Sequence, residues 1–301
     1  MTAVHVLGSY FYLRKLDLTA ELKKRPGVDF FADSGAFSAF TTGGSVDIDE
    51  YGDWLTQHAA VINCAATLDV IGDPVATARN TERLLARTGG RVTIMPAFHV
   101  GSPWPELHRL CAEHPYVALG GAVHLAKREM AMMRWLIKAH QIARDYNTRL
   151  HGFGLTRPPY PHILPWYSVD SSYWNSASRT GTLTLWNGRH FQTFRVGDRR
   201  AAQHANLIRA YGGNPTHVST PGFALVREVG PRGSRDREWL NRATIESFRR
   251  YEAHVRGWRG TVPAPRSGST TGDGLKVYLA AGNLADITLI RDTVLAKETT
   301  R

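Results

Sequence analysis

Cysteine is almost missing from this 301-residue chain: only Cys64 and Cys111 occur, and no Cys-x-x-Cys pair exists. That excludes a structural zinc site of thiolate type, and both residues read as reduced, packed thiols. The 13 histidines offer neither His-x-x-x-His nor His-Glu-x-x-His spacing, so no metal and no cofactor is expected. No apolar run approaches the roughly 18–20 residues that cross a bilayer, and the N-terminus has no signal-peptide pattern. The expectation is a soluble, cytoplasmic protein. No Gly-x-Gly-x-x-Gly follows the first apolar run, which counts against a doubly wound dinucleotide fold, and no internal repeat occurs. Lysine is absent from Arg179 to Arg266, although that stretch holds 16 arginines against 6 acidic residues.

What is present is basic and largely apolar. The net charge is +11, of which the Arg179–Arg266 stretch carries +10, and 43% of the residues are hydrophobic. The chain is long enough to bury a large core. Such charge points to a polyanionic partner. Arginine suits phosphate and stacks on bases. Trp186, Phe191, Phe194, Tyr211, Trp239, Phe248, Tyr251 and Trp258 are interleaved with the arginines, a combination that suits exposed bases, although some of these aromatics must be core.

Short apolar runs alternate with amphipathic stretches, the pattern of parallel strands joined by helices. Strands are expected at Val4–Gly8, Asp29–Ala32, Val61–Leu68, Val92–Phe98, Tyr116–Gly120, Leu150–Gly154, Tyr167–Val169 and Lys276–Ala281. Helices are expected at Asp49–Ala60, from Asp73-Pro74 to Arg87, from Ser102-Pro103 to Glu113, and at Lys127–Tyr146 and Ala285–Lys297. Eight such units predict an α/β fold of the TIM (β/α)8 barrel type. Residues 1–181 would form the first seven units and 275–301 the last. An Arg-rich, mainly helical insertion at 182–274 would separate strands seven and eight, with helices at Asp198–Tyr211 and Arg235–Trp258 and a flexible return at Pro263–Gly274.

Three of these runs end in aspartate: Asp33, Asp69 and Asp170. Strand C-termini converge on the active site of such barrels, whereas elsewhere an Asp after a strand is commonly a cap or turn former. Asp73, just before Pro74, fits the capping role. Two carboxylates facing one pocket could serve as nucleophile and general acid/base. Gly120-Gly121 and Gly152 with Gly154 put bare backbone at two strand ends, open to a ligand or to tight packing. His99 ends the fourth run and could hydrogen-bond a ligand or the protein.

The motifs Asp33-Ser34-Gly35-Ala36-Phe37, Ala118-Leu119-Gly120-Gly121-Ala122, His151-Gly152-Phe153-Gly154 and Asp170 followed by Arg179-Thr180-Gly181 occur in an order that resembles the queuine and archaeosine tRNA-guanine transglycosylase superfamily. The resemblance covers about residues 29 to 190. It implies a TIM barrel that exchanges a purine base. Asp170 would be the nucleophile at C1′ and Asp33 the general acid/base. Asp69, His99, Ser34, Gly120, Gly121, Ala122 and Gly152 would surround the base, and Phe37 would stack on it. The chain departs from the tRNA enzymes in lacking their cysteine-rich zinc subdomain, and carries His99 where the family often has Gln. A short, zinc-free, Arg-rich chain resembles most the branch from phages and bacterial modification clusters that inserts 7-deazaguanine bases such as preQ0 into DNA, in which case the compartment is the host cytoplasm. DNA is then the expected partner, with tRNA as the alternative. Arg179, Arg195, Arg199, Arg200, Arg249 and Arg250 are the expected phosphate contacts, beside the barrel mouth, and a homodimer is left open. Two rivals remain: a retaining glycoside hydrolase with paired carboxylates, and a nucleic-acid-binding barrel without catalysis.

Overall fold

The computed structural model describes residues 3–70, 72–125, 127–220, 231–259 and 274–296. It divides into two compact units, Met1–Ser171 with Arg259–Thr288, and Ser172–Trp258 with Leu289–Arg301.

The first unit contains β1 (Val4–Ser9), β2 (Val28–Asp33), β3 (Cys64–Ala66), β4 (Thr93–Met95), β5 (Ala97–His99), β6 (Tyr116–Gly120), β7 (Arg149–Gly152) and β8 (Ser168–Ser171). The second unit contributes β9 (Thr182–Trp186) and β10 (Phe191–Arg195), and the chain then returns to the first as β11 (Lys276–Ala281). The nine strands of the first unit pair in parallel in the order β4-β3-β2-β1-β11-β8-β7-β6-β5. Its two outermost strands, β4 and β5, are separated in sequence by Pro96 alone. Proline has no N–H to give a ladder. The Met95 carbonyl accepts from Thr67 at 3.0 Å on one side, and the Pro96 carbonyl accepts from Ala118 at 2.8 Å on the other. The sheet is therefore nearly closed and TIM-barrel-like, with helices in its crossovers.

Period-two alternation sorts the strand residues into layers. On β2, Asp29, Phe31 and Asp33 share one face, as do Arg149 and His151 on β7, Ser168 and Asp170 on β8, and Lys276, Tyr278 and Ala280 on β11. The middle layer is an apolar cluster of Leu7, Phe31, Cys64, Ala66, Met95, Tyr116, Ala118, Tyr167 and Tyr278. Cys64 and Cys111 are free and buried, and burial raises both thiols, Cys111 to about 11.

Among the helices, Pro74–Thr88 is capped as expected, with Asp73 accepting from the Ala76 amide at 2.9 Å. The helix Trp104–Glu113 begins one residue later than expected. Pro103, not Ser102, sits at its N-cap without a side-chain bond, and Pro105 lies in its first turn. Ile48–Gln57, Glu129–Asp145 and Leu284–Leu295 fall within two or three residues of their expected spans. The single run expected at Val92–Phe98 is two strands, because of Pro96.

The insertion expected to be mainly helical from residue 182 starts with strands. β9 and β10 form an antiparallel hairpin with Trp186 opposite Phe191 and Thr182 opposite Arg195. The helix expected at Asp198–Tyr211 is a 3₁₀ turn, Arg199–His204, followed by Ala205–Ala210, and Gly212 ends it at φ +75°. The long helix runs Pro231–Arg259. The return expected at Pro263–Gly274 lies outside the described residues, except Gly274. Leu183, Leu185, Val196, Ile208, Tyr211 and Leu240 belong to one core cluster. Trp186, Phe248 and Tyr251 are also buried, and Phe191 packs on all three with ring centroids 5.2, 5.3 and 4.8 Å away. These four aromatics are packing groups, not an open stacking platform. No described helix is long and apolar enough to cross a membrane.

Candidate active site

Asp33 closes β2, and Asp170 lies one residue before the end of β8. Asp69 lies just beyond β3. Parallel pairing puts all three at the C-terminal end of the sheet. They are close enough for the charges of Asp170 and Asp69 to act on Asp33.

Asp33 Oδ2 accepts from the Gly35 amide at 2.9 Å. Gly35 has φ +80°, and a Cβ there would collide with the Ser9 hydroxyl and Phe11. Only glycine allows that turn. Burial pushes the Asp33 carboxyl up to about 7, reinforced by the two neighbouring carboxylates and opposed by the backbone amides of Gly35 and Ser34. The residue nevertheless keeps part of its surface open.

Asp170 Oδ1 accepts from the Gly154 amide at 2.8 Å, where Gly154 has φ +68°. His151 Nε2 lies 3.4 Å from the same oxygen, and His151 is fully buried. Its Nδ1 contacts Ser168 Oγ at 2.6 Å, and Ser168 in turn hydrogen-bonds the Tyr116 hydroxyl. A buried file of Tyr116, Ser168 and His151 therefore ends on Asp170. His151 stands in the motif His151-Gly152-Phe153-Gly154, but the sequence alone assigns it no role. The available signal was its place two residues from Arg149 on the inward face of a strand.

Asp69 Oδ2 lies 3.1 Å from His99 Nε2. Burial alone would lower the His99 pKa, but the hydrogen bond and charge of Asp69 outweigh it and raise it. The other carboxylate oxygen, Oδ1, is buried and has no hydrogen-bond partner in the structure. The His99 ring occupies the space beside Gly120, where a Cβ would lie 2.8 Å from Cδ2. Gly152 likewise makes room for Trp166 and Leu155, at 2.9 and 3.1 Å. At these two glycines the missing side chain serves packing. Gly121, at φ +71°, is half-buried, and Ala122 opens a 3₁₀ turn. Ser34 is buried, and Ala36 N lies 3.4 Å from its hydroxyl. Phe37, on the helix Ala36–Thr42, is 70% exposed.

The candidate arginines divide in two. Arg195 and Arg199 are exposed. Arg179 is exposed and reaches Asn175 Oδ1 at 3.4 Å. Arg200 pairs with Asp198 at 2.7 Å. Arg249 and Arg250 both bind Glu246, at 2.7 and 2.8 Å, and that carboxylate is only 3% exposed. Arg250 also reaches the Ala210 carbonyl and covers the Tyr211 ring at 4.2 Å. Among the described residues, no group of three His, Cys, Asp or Glu side chains is arranged to hold a metal ion.

The arrangement can hold a proton on Asp33 near neutral pH, present the Asp170 carboxylate beside it, and offer Asp69 Oδ1 as an acceptor. No family model matches the chain, and no curated protein or solved structure matches it.

Proposed function

We propose that this chain is a guanine transglycosylase that replaces a guanine in DNA by a 7-deazaguanine base through a covalent Asp170 intermediate. The observation that carries the reading is the gathering of three aspartates at one end of the sheet, with the Asp33 carboxyl pushed up to about 7 by burial and by the charges of Asp170 and Asp69. An acid that must protonate a departing purine has to hold its proton near neutral pH. A carboxylate facing an oxocarbenium-like carbon has to be available as a nucleophile. The unpartnered Asp69 Oδ1 supports the assignment of Asp69 to the guanine edge, whose N1 and N2 donors adenine lacks.

In this reading the fold is a (β/α)8 barrel. With β4 and β5 counted as one strand broken at Pro96, the ring has eight members. Asp170 attacks C1′ as Asp33 protonates the leaving guanine. The incoming base then gives its proton to Asp33, attacks C1′ and releases Asp170. His151 positions the nucleophile, and His99 orients Asp69. A duplex substrate has to be unstacked first. Basic residues of the Arg179–Arg266 stretch supply phosphate contacts, with Arg195 and Arg199 the foremost candidates.

The test is labelled-guanine exchange on duplex DNA, single-stranded DNA and bulk tRNA, with Asp170→Ala as the blank. Label entering DNA and lost in Asp170→Ala is expected. Label entering tRNA alone would move the protein to the tRNA branch. Full exchange by Asp170→Ala would remove the mechanism.

A further inference from the structure

At the N-terminal end of the strands, opposite the three aspartates, the first unit has a partly open cavity of about 190 Å³ lined in part by Asp29, Asn63, Tyr116, Arg149, Tyr167, Lys276 and Tyr278. That is ample for a small ligand together with water. Both oxygens of Asp29 are engaged. Its Oδ2 accepts from Lys276 Nζ at 2.9 Å and the Tyr278 hydroxyl at 3.1 Å, and lies 3.0 Å from His5 Nδ1. Its Oδ1 accepts from Asn63 at 2.6 Å.

Arg149 is not engaged in the same way. Its guanidinium carbon lies 4.0 Å from the centroid of the Tyr167 ring, and its buried Nε has no hydrogen-bond partner in the structure. Lys276 Nζ lies 5.2 Å from the same ring centroid. Two cations against one carboxylate leave the cavity with an excess positive charge. A buried donor without a partner bears its full desolvation cost. The planar guanidinium fork matches paired oxygens of a carboxylate or phosphate.

We infer that this cavity binds a small oxyanion on Arg149, with Lys276 as the second cation. Arg149 and Lys276 have no part in base exchange; Tyr116, which also lines the cavity, belongs to the file that ends on Asp170, and direct anion titration tests the site separately from exchange. The lining explains the choice of ligand class. Tyr167 covers one face of the guanidinium, so the ligand meets its N–H edge, and the Asp29 charge is already matched by Lys276.

The experiment is calorimetric titration and thermal unfolding of the full chain with sodium phosphate and with sodium acetate, against sodium chloride matched for ionic strength. A saturable heat and a saturable rise in Tm with one oxyanion are expected, about tenfold weaker in Arg149→Met and intermediate in Arg149→Lys, which keeps the charge without the fork. Preference for phosphate identifies a tetrahedral ligand, and preference for acetate a carboxylate. No saturable response beyond chloride overturns the site, as does equal affinity in wild type and Arg149→Met. If Arg149→Met does not fold, the wild-type titration and Arg149→Lys decide: equal affinity in those two overturns the inference.

Discussion

A carboxyl that ionises with a midpoint near neutral pH has two consequences. Asp33 is raised from its ordinary value to about 7 by burial and by two neighbouring negative charges. In the proposed mechanism its protonated form is the competent acid, so the first step of exchange is expected to slow as pH rises through about 7, measured as the single-turnover rate against pH. The stability effect has the same sign. Folding binds the proton more tightly than the unfolded chain does, so the contribution of Asp33 is fully present below about pH 4 and lost as pH rises through about 7. Asp33→Asn is therefore expected to abolish exchange while raising Tm at pH 8.5, by roughly 1.5 °C for each kcal/mol recovered. The difference should vanish near pH 4, and thermal melts at the two pH values check it. Asp29 has the opposite sign. Burial alone would raise it, but the His5 hydrogen bond and the Lys276 charge hold it well below the usual carboxylate range. Its contribution is present at neutral pH and is lost as the solution is acidified below about 4. Lys276→Met, which leaves that carboxylate only His5, Tyr278 and Asn63, is expected to cost about 1–3 kcal/mol at pH 7 by urea denaturation.

At the scale of elements, Gly120 matters through what it leaves room for. A methyl group there meets the His99 ring at 2.8 Å. Gly120→Ala is expected to push His99 away from Asp69 and lower kcat/KM for guanine on the order of 10²-fold, with circular dichroism unchanged. The strands Tyr116–Gly120 and Lys276–Ala281 fall where their apolar runs lie, because each is bounded by turn-forming residues and mostly buried. The three terminal aspartates were legible for a related reason: an acidic residue after an apolar run marks where a buried strand reaches water. Other features were not legible. Val61–Leu68 reads as one long strand, yet the ladder covers only Cys64–Ala66, with single backbone bonds from Asn63 and Thr67 at its two ends, since pairing is set by the neighbouring strands. The hairpin β9–β10 went unseen because arginine density masked the alternation of Thr182–Trp186. The His99–Asp69 pair joins residues thirty positions apart, and no local pattern encodes that.

At the scale of the whole molecule, charge is the dominant property, but not every positive residue is available to a partner. Arg249 and Arg250 are committed to Glu246, inside the second unit's own packing. Arg195 and Arg199 are exposed on shorter elements. Nucleic-acid affinity is expected to fall steeply with salt, and Arg195→Ala and Arg199→Ala should each flatten the log–log salt slope by about 1 without lowering Tm. Arg249→Ala should instead lower Tm and leave the slope nearly unchanged. Filter binding at several salt concentrations, paired with thermal melts, separates the two classes. The joint at Pro96 has a bearing on assembly. Strands β4 and β5 would be the raw margins of an open sheet, where backbone N–H and C=O groups invite a strand from another chain. Here they are neighbouring lengths of one peptide, so the larger sheet offers a foreign strand little margin to extend. Among the described residues, the outward rims of the β9–β10 hairpin are where intermolecular strand addition, and with it aggregation, would begin.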